Sequence, residues 1–131
     1  MSRQWERSWR SAVTVVALIC AVSAPSLIAS ADTGATVINL TDTFEFEPHA
    51  VMIHAGDIVE WRNTSRFNHT VTADPTQGHA TLPPSAESFS SQELRPGASF
   101  RHTFTVPGNY TYFCQPHEGI GMVAQIIVLA K

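Results

Sequence analysis

The sequence predicts an all-β domain, an antiparallel sandwich or barrel. Short runs of β-branched and aromatic residues alternate in period two, Gly and Pro interrupt them at close spacing, and no long helical period is present. In one such run, 58–62, the alternation places Val59 and Trp61 on the same face. The runs predicted to be strands are 35–40, 51–54, 58–62, 69–72, 99–104, 110–114 and 123–129.

One segment, 73–97, departs from this pattern. It is rich in Ser, Pro and Gly, and Pro83 and Pro84 lie in its middle. We predict a long surface excursion that is short enough to be ordered, with a short helical turn near 91–94.

Residues 1–31 are interpreted as a secretory signal peptide, which leaves 32–131 as one domain. Three arginines in the first ten residues precede a nearly uncharged apolar stretch, 12–24, and Ala29-Ser30-Ala31 has the small-x-small pattern of a cleavage site. The alternative is an uncleaved membrane anchor, although a span needs about 20 apolar residues. Cleavage near Ala31 predicts a protein of the periplasm, or one otherwise exported.

The charge of the predicted mature chain limits its partners. After residue 31, five basic and ten acidic residues remain, a formal net charge of −5, whereas the whole chain has −3. An acidic surface argues against a nucleic-acid partner and mildly favours a basic protein partner.

Cys114 is the single cysteine after residue 31. Exported domains usually pair their cysteines because the compartment oxidises thiols. A lone thiol there is therefore buried and inert, paired with another chain, or bound to a metal.

The run from Cys114 to Met122 brings a thiolate, an imidazole and a thioether within nine residues. Cys114 ends one predicted strand and Met122 precedes the next, so a single loop can fold both side chains and that of His117 around one point. These three residues have the ligand types of a blue-copper site, and only a second imidazole is missing from the set. A bound metal would also keep the thiol deprotonated in an oxidising compartment.

His69 is the best candidate for the second imidazole, because it opens a predicted strand after an irregular turn at 63–68. A lone histidine is weak support for a metal site. We expect the other histidines of the predicted domain to be ordinary surface residues: His49, His54, His79 and His102.

These motifs resemble the plastocyanin branch of the cupredoxin family, the type 1 (blue) copper proteins, over about residues 46–128. Four potential ligands occur in the family's order, with Cys-x-x-His-x-x-x-x-Met spacing. The other matching residues are Phe46, Pro48, Val51, Ile53, Gly56, Asp57, Val59, Trp61, Asn63, Thr70, Val71, Pro96, Gly97, Phe104, Pro107, Gly108, Tyr110, Tyr112, Pro116, Gly119, Gly121 and Val123.

The resemblance implies a Greek-key β-sandwich of about eight strands with one copper ion near one end. The implied metal ligands are His69, Cys114, His117 and Met122. It also implies a monomer that carries one electron at a time, as copper cycles between Cu+ and Cu2+. Its redox donor and acceptor would dock near His117, on an apolar patch formed by Phe67, Pro116, Gly119 and Ile120.

The sequence departs from the family at several positions. Phe113 stands where plant plastocyanins have Tyr, and Thr70 stands where Asn commonly ties the two ligand loops together. The resemblance therefore does not predict that hydrogen bond. The acidic patches of plant plastocyanins have no clear counterpart, so a photosynthetic partner is not carried over.

Other functions remain open at this point. The same ligands could serve a periplasmic copper carrier or buffer. A copper enzyme would need further copper centres with added histidine clusters, and we assign no catalytic residue and no small-molecule substrate. A metal-free immunoglobulin-like adhesion module would leave the Cys-His-Met spacing as a coincidence.

Overall fold

The computed structural model describes residues 34–131, which form nine β-strands and one 3₁₀ helix. The predicted signal peptide, 1–31, lies outside the described residues. No helix within 34–131 is long and apolar enough to cross a membrane. The strands are β1 (Thr36–Leu40), β2 (Phe46–Glu47), β3 (Ala50–His54), β4 (Ile58–Asn63), β5 (Thr72–Ala73), β6 (Phe89–Ser90), β7 (Ser99–Thr103), β8 (Gly108–Phe113) and β9 (Val123–Leu129), and the helix η1 is Gln115–Ile120.

The strands form two sheets, which confirms the predicted all-β sandwich. One sheet has the order β2-β1-β4-β7 and the other has the order β3-β9-β8-β5-β6. The described part of the chain has nine strands, close to the predicted number of about eight. Three of them are only two residues long: β2, β5 and β6.

The purely antiparallel pairing predicted from the turn spacing is wrong in two places. Strand β1 pairs with β4 in parallel, and β3 pairs with β9 in parallel. Parallel neighbours cannot be joined by a tight hairpin. Here the chain passes through β3 in the opposite sheet before it returns as β4, so β4 runs in the same direction as β1.

The core lies between the two sheets and is rich in aromatic side chains. Val59 and Trp61 share the buried face of β4, as the alternation predicted. The Trp61 ring meets Tyr112 of the other sheet edge to face, with 5.5 Å between ring centroids. Aromatic pairs of this geometry contribute about 0.5–1.5 kcal/mol beyond their area burial, so they hold the end of β8 firmly against the facing sheet.

The end of the excursion at 73–97 is joined to the segment before β5 by backbone hydrogen bonds. Strand β5 begins only at Thr72, so the predicted strand at 69–72 is wrong for its first three residues. His69 instead forms an isolated antiparallel bridge with Leu94. That bridge replaces the helical turn predicted near 91–94, because extended backbone is needed for the two hydrogen bonds it makes.

Three of the four histidines expected at the surface are exposed: His49, His54 and His79. His102 is a correction, since it is half-buried. Its ring stacks on Phe89, with 4.0 Å between centroids and 24° between planes, and meets Phe104 edge to face. Burial lowers the pKa of His102 below its ordinary value.

We predict that acid weakens the fold partly through His102. Since its pKa is lowered in the folded state, the unfolded chain binds the proton more tightly. The contribution of neutral His102 to stability should be complete above the ordinary pKa of 6.5 and be lost as the pH falls from there through the folded-state pKa. Urea denaturation of His102→Gln at a series of pH values should show a shallower loss of stability than the wild type. The exposed His54→Gln should keep the full loss, and equal slopes for all three proteins would contradict the prediction.

Candidate metal centre

Cys114 lies where β8 ends and η1 begins. Its backbone is still extended, with φ −97° and ψ 119°, and its side chain is fully buried. Pro116 in the first turn suits the start of a helix because it lacks a backbone N–H that would need a partner there. Gly121 ends the helix with φ 95°, a left-handed conformation that favours glycine. The sequence therefore forces a tight turn between Cys114 and Met122.

Backbone hydrogen bonds join the three predicted ligands of this turn to one another. The N–H of His117 donates to the carbonyl of Cys114 at 3.0 Å, and the N–H of Met122 donates to the carbonyl of His117 at 3.2 Å. The N–H of Cys114 donates to the carbonyl of Met122 at 3.0 Å. This closed ring of bonds fixes where each side chain leaves the backbone.

His69 comes from a separate part of the chain and is fully buried. Its backbone exchanges two hydrogen bonds with Leu94, of 3.1 and 2.8 Å. The side-chain amide of Asn63 donates to the carbonyls of Phe67 and Leu94, at 2.7 and 2.8 Å. Asn63 thus joins the irregular turn before His69 to the end of the 73–97 excursion. Sequence reasoning assigned no role to Asn63 in holding this ligand.

The structure brings His69, Cys114 and His117 to one point. The Sγ of Cys114 lies 3.3 Å from Nδ1 of His117 and 3.7 Å from Nδ1 of His69. One donor atom from each residue lies within 4.8 Å of the other two. Separations of this size suit the bonds of about 2.0–2.3 Å that a first-row metal ion makes to nitrogen and sulfur. A thiolate with two imidazoles is the equatorial donor set of a type 1 copper site, so the residues fit copper.

The pKa shifts of two of these residues favour a neutral His69 imidazole and oppose a thiolate at Cys114 when no cation is bound. Burial lowers the pKa of His69, and a charge on His117 would lower it further. His69 therefore keeps a free nitrogen lone pair. Burial raises the pKa of Cys114, while the N–H of Thr70, donating to Sγ at 3.3 Å, acts in the opposite direction. A bound cation would add the positive charge that a buried thiolate needs.

Thr70 supplies the link between the two ligand loops that the resemblance did not predict for this residue. Its hydroxyl oxygen accepts a hydrogen bond from the N–H of Gln115 at 2.8 Å, and its own N–H donates to the Cys114 sulfur. A threonine hydroxyl is therefore long enough here to replace the carboxamide that is common in the family.

Met122 is fully buried immediately after the turn, and its backbone is bonded to Cys114 and His117. A thioether at this place is the residue type of a weak axial ligand. Its assignment as the fourth ligand stays a prediction from the sequence.

The ring of His117 is only half-buried, and we call the apolar residues near it in the chain or in the fold the apolar rim: Phe44, Phe67, Pro116, Gly119 and Ile120. The predicted members Phe67 and Ile120 are 39% and 68% exposed. Phe44, which was not predicted, contacts both Phe67 and His117 with tilted rings, at 4.9 and 4.6 Å between centroids. Its φ of 60° is unusual for a residue other than glycine, so the backbone adopts a sparsely populated conformation to place this ring. No sequence signal predicted the long-range contact between Phe44 and His117.

A hook at the start of the excursion, residues 74–79, holds η1 from the outside. The backbone N–H and the ring Nδ1 of His79 both lie 2.8 Å from one carboxylate oxygen of Glu118. Gln115 donates its side-chain amide to that of Gln77. Gly78 lies between these contacts, against the ring of Phe113. The hook thus supports the helix that carries His117.

A β-sandwich that gathers a thiol and two imidazoles at one buried point belongs to the cupredoxin class. Residues 33–129 match the family described as copper binding proteins, plastocyanin/azurin family. The chloroplastic plastocyanin of Tetradesmus obliquus is 37% identical over 117 residues, which cover 89% of this chain and 75% of that protein. The plastocyanin of Prochlorothrix hollandica is 32% identical over 119 residues, which cover 87% and 89%. The chain therefore belongs to the plastocyanin/azurin family of copper-binding proteins.

Solved structures support the same fold. An oxidised amicyanin variant superposes with a TM-score of 0.60 and 24% identity, covering 73% of this chain and 83% of the amicyanin chain. Membership of the family confirms the predicted copper cofactor, and His69, Cys114 and His117 could form its type 1 site. The chain is a plastocyanin-like electron carrier and not an enzyme.

We predict that Gly78→Ala destabilises the protein by about 1–3 kcal/mol, the usual cost of overpacking. A Cβ at this position would lie 2.5 Å from Cζ of Phe113 and 2.8 Å from a carboxylate oxygen of Glu118. Gly119→Ala is the matched control within η1, because a Cβ there meets no atom within 4 Å. Urea denaturation measures the free energy of unfolding of both variants, and equal values for the two would contradict the role of the hook.

Proposed function

We propose that this chain is an exported type 1 copper protein that carries single electrons between redox proteins, with copper held by His69, Cys114, His117 and Met122. The observation that carries the proposal is the convergence of three donor atoms at one buried point. The Cys114 sulfur lies 3.3 Å from Nδ1 of His117 and 3.7 Å from Nδ1 of His69. Bound copper supplies a one-electron couple between Cu+ and Cu2+.

The protein contributes a site that changes little during the reaction. His69, Cys114 and Met122 are fully buried, so water is kept from the donor atoms. The backbone ring at 114–122 and the bridge between His69 and Leu94 fix the ligands from two sides. His117 is the ligand nearest to solvent, and we propose that electrons enter and leave through its ring.

The proposal extends to location and partners. We propose that residues 1–31 direct export to the periplasm, or another compartment outside the cytoplasm, and that residues 32–131 act as a monomeric cupredoxin domain. A membrane contact would arise only if the N-terminal segment stayed uncleaved. The net charge of −5 after residue 31 supports redox proteins with a basic docking face as donor and acceptor, and not nucleic acid.

The alternative function is a copper carrier or buffer. The burial of three of the four proposed ligands and the hook over η1 favour electron transfer, because a carrier must release its ion easily. Two rate measurements on the copper-loaded protein distinguish an electron carrier from a copper carrier. We expect fast electron self-exchange together with slow loss of copper to a chelator. Rapid copper loss with slow self-exchange would instead identify a copper carrier.

Met122→Leu is predicted to keep copper bound and to raise the reduction potential. Leu fills a similar volume, so the change should cost less than about 1.5 kcal/mol of stability. Loss of a thioether donor would destabilise the more highly charged Cu2+ state relative to Cu+. Voltammetry measures the potential, and an unchanged value would mean that Met122 does not hold the copper ion.

Ile120→Lys is predicted to slow electron self-exchange by about tenfold or more. Self-exchange brings the rims of two copies together, and like charges that face each other at an interface cost several kcal/mol. Met52→Lys is the matched control, because Met52 is 64% exposed on β3 and lies outside the rim. Equal rates for the two variants would show that electrons do not pass through this patch.

A further inference from the structure

The ring of His69 is held by a chain of buried polar side chains that is separate from the metal-facing atoms. Ser65 Oγ lies 2.8 Å from Nε2 of His69 and 2.7 Å from Oδ1 of Asn63. All three residues are buried, with at most 5% of their surface exposed. Buried polar groups are costly unless they are paired, so the proton positions in this chain are tightly constrained.

The orientation of the Asn63 amide follows from its partners. Its nitrogen lies 2.7 and 2.8 Å from two backbone carbonyl oxygens, which can only accept hydrogen bonds. Its oxygen lies 3.0 Å from the backbone N–H of Ser65, which can only donate. Oδ1 of Asn63 is therefore an acceptor, and no flipped amide would satisfy these contacts.

The hydroxyl of Ser65 has one proton, and that proton forms the hydrogen bond to Oδ1 of Asn63. Two oxygens 2.7 Å apart repel each other unless one donates, so the Ser65 proton points at Oδ1 of Asn63. The carbonyl oxygen of Phe67 is a more distant acceptor, 3.2 Å from Oγ, and it already accepts from the Asn63 amide nitrogen at 2.7 Å, so the shorter contact to Oδ1 takes the proton. The lone pairs of Oγ then face the two close donors. They accept from the N–H of Phe67 at 3.1 Å and from Nε2 of His69 at 2.8 Å.

We propose that Ser65 is a positioning residue that fixes His69 as the tautomer protonated at Nε2. Nδ1, 3.7 Å from the Cys114 sulfur, then has a free lone pair directed at the metal point. The link to copper rests on the proposed function, whereas the tautomer itself does not. Partners of this kind orient a metal-bound imidazole and raise its basicity.

Nitrogen NMR on ¹⁵N-labelled protein from the full-length gene tests the proposal, first without metal. We expect His69 of the wild type to carry its proton on Nε2, with slow exchange of that proton against solvent. In Ser65→Ala the exchange should be faster, and the affinity for Cu+ should fall by about 10–100-fold, as is usual when the partner of a metal-ligating histidine is removed.

Ser91→Ala is the control for a merely structural effect. Ser91 is also a buried serine, and its Oγ accepts the N–H of Val71 at 2.8 Å, so its loss should weaken the fold without altering the His69 signals. A proton on Nδ1 in the wild type, or equal effects of Ser65→Ala and Ser91→Ala, would overturn the proposal. If Ser65→Ala fails to fold, the position of the wild-type proton decides alone.

The two proposals fail in different ways. A wild type that binds no copper would overturn the electron-carrier function, yet the metal-free spectrum would still decide the role of Ser65. A type 1 copper spectrum combined with an Nδ1 proton in the metal-free protein would overturn the role of Ser65 and leave the function intact.

Discussion

The structure depends on bringing one sulfur and two ring nitrogens from two distant segments to a single buried point. The charged forms of two donors are costly to bury: burial raises the pKa of Cys114 and lowers that of His69. The fold brings the donors together with backbone hydrogen bonds. The turn from Cys114 to Met122 bonds to itself, and His69 is bonded to Leu94. Copper suits the result because it prefers sulfur and nitrogen donors to oxygen.

A site that moves electrons must be rigid inside and accessible at one edge. The interior is closed by the aromatic packing between the sheets and by the link from Thr70 to Gln115. Access is limited to the His117 ring and its apolar rim, where Phe44 and Ile120 lie. The hook at 74–79 supports η1 through Glu118 and Gln115, the residues next to His117 and next to Cys114.

The sequence predicted the candidate ligands, including the distant His69, and it missed the long-range contacts that hold those ligands in place. The spacing of Cys114, His117 and Met122 is set within one turn, and the alternation of Val59 and Trp61 identified a core strand. Phe44 and Ser65 belong to no motif, and Asn63 was recognised as a matching residue without its role, because these roles arise when the chain folds back. The parallel pairing of β1 with β4 and the half-burial of His102 were missed for the same reason.

The most direct test of the central claim is a titration of the purified protein with Cu2+, followed by optical absorption and electron paramagnetic resonance. We expect one Cu2+ ion per chain and an intense visible band from the bond between copper and the Cys114 thiolate, with the band abolished in Cys114→Ser. A protein that stays colourless with Cu2+, or a Cys114→Ser variant that keeps the band, would show that the three donors do not share one copper ion.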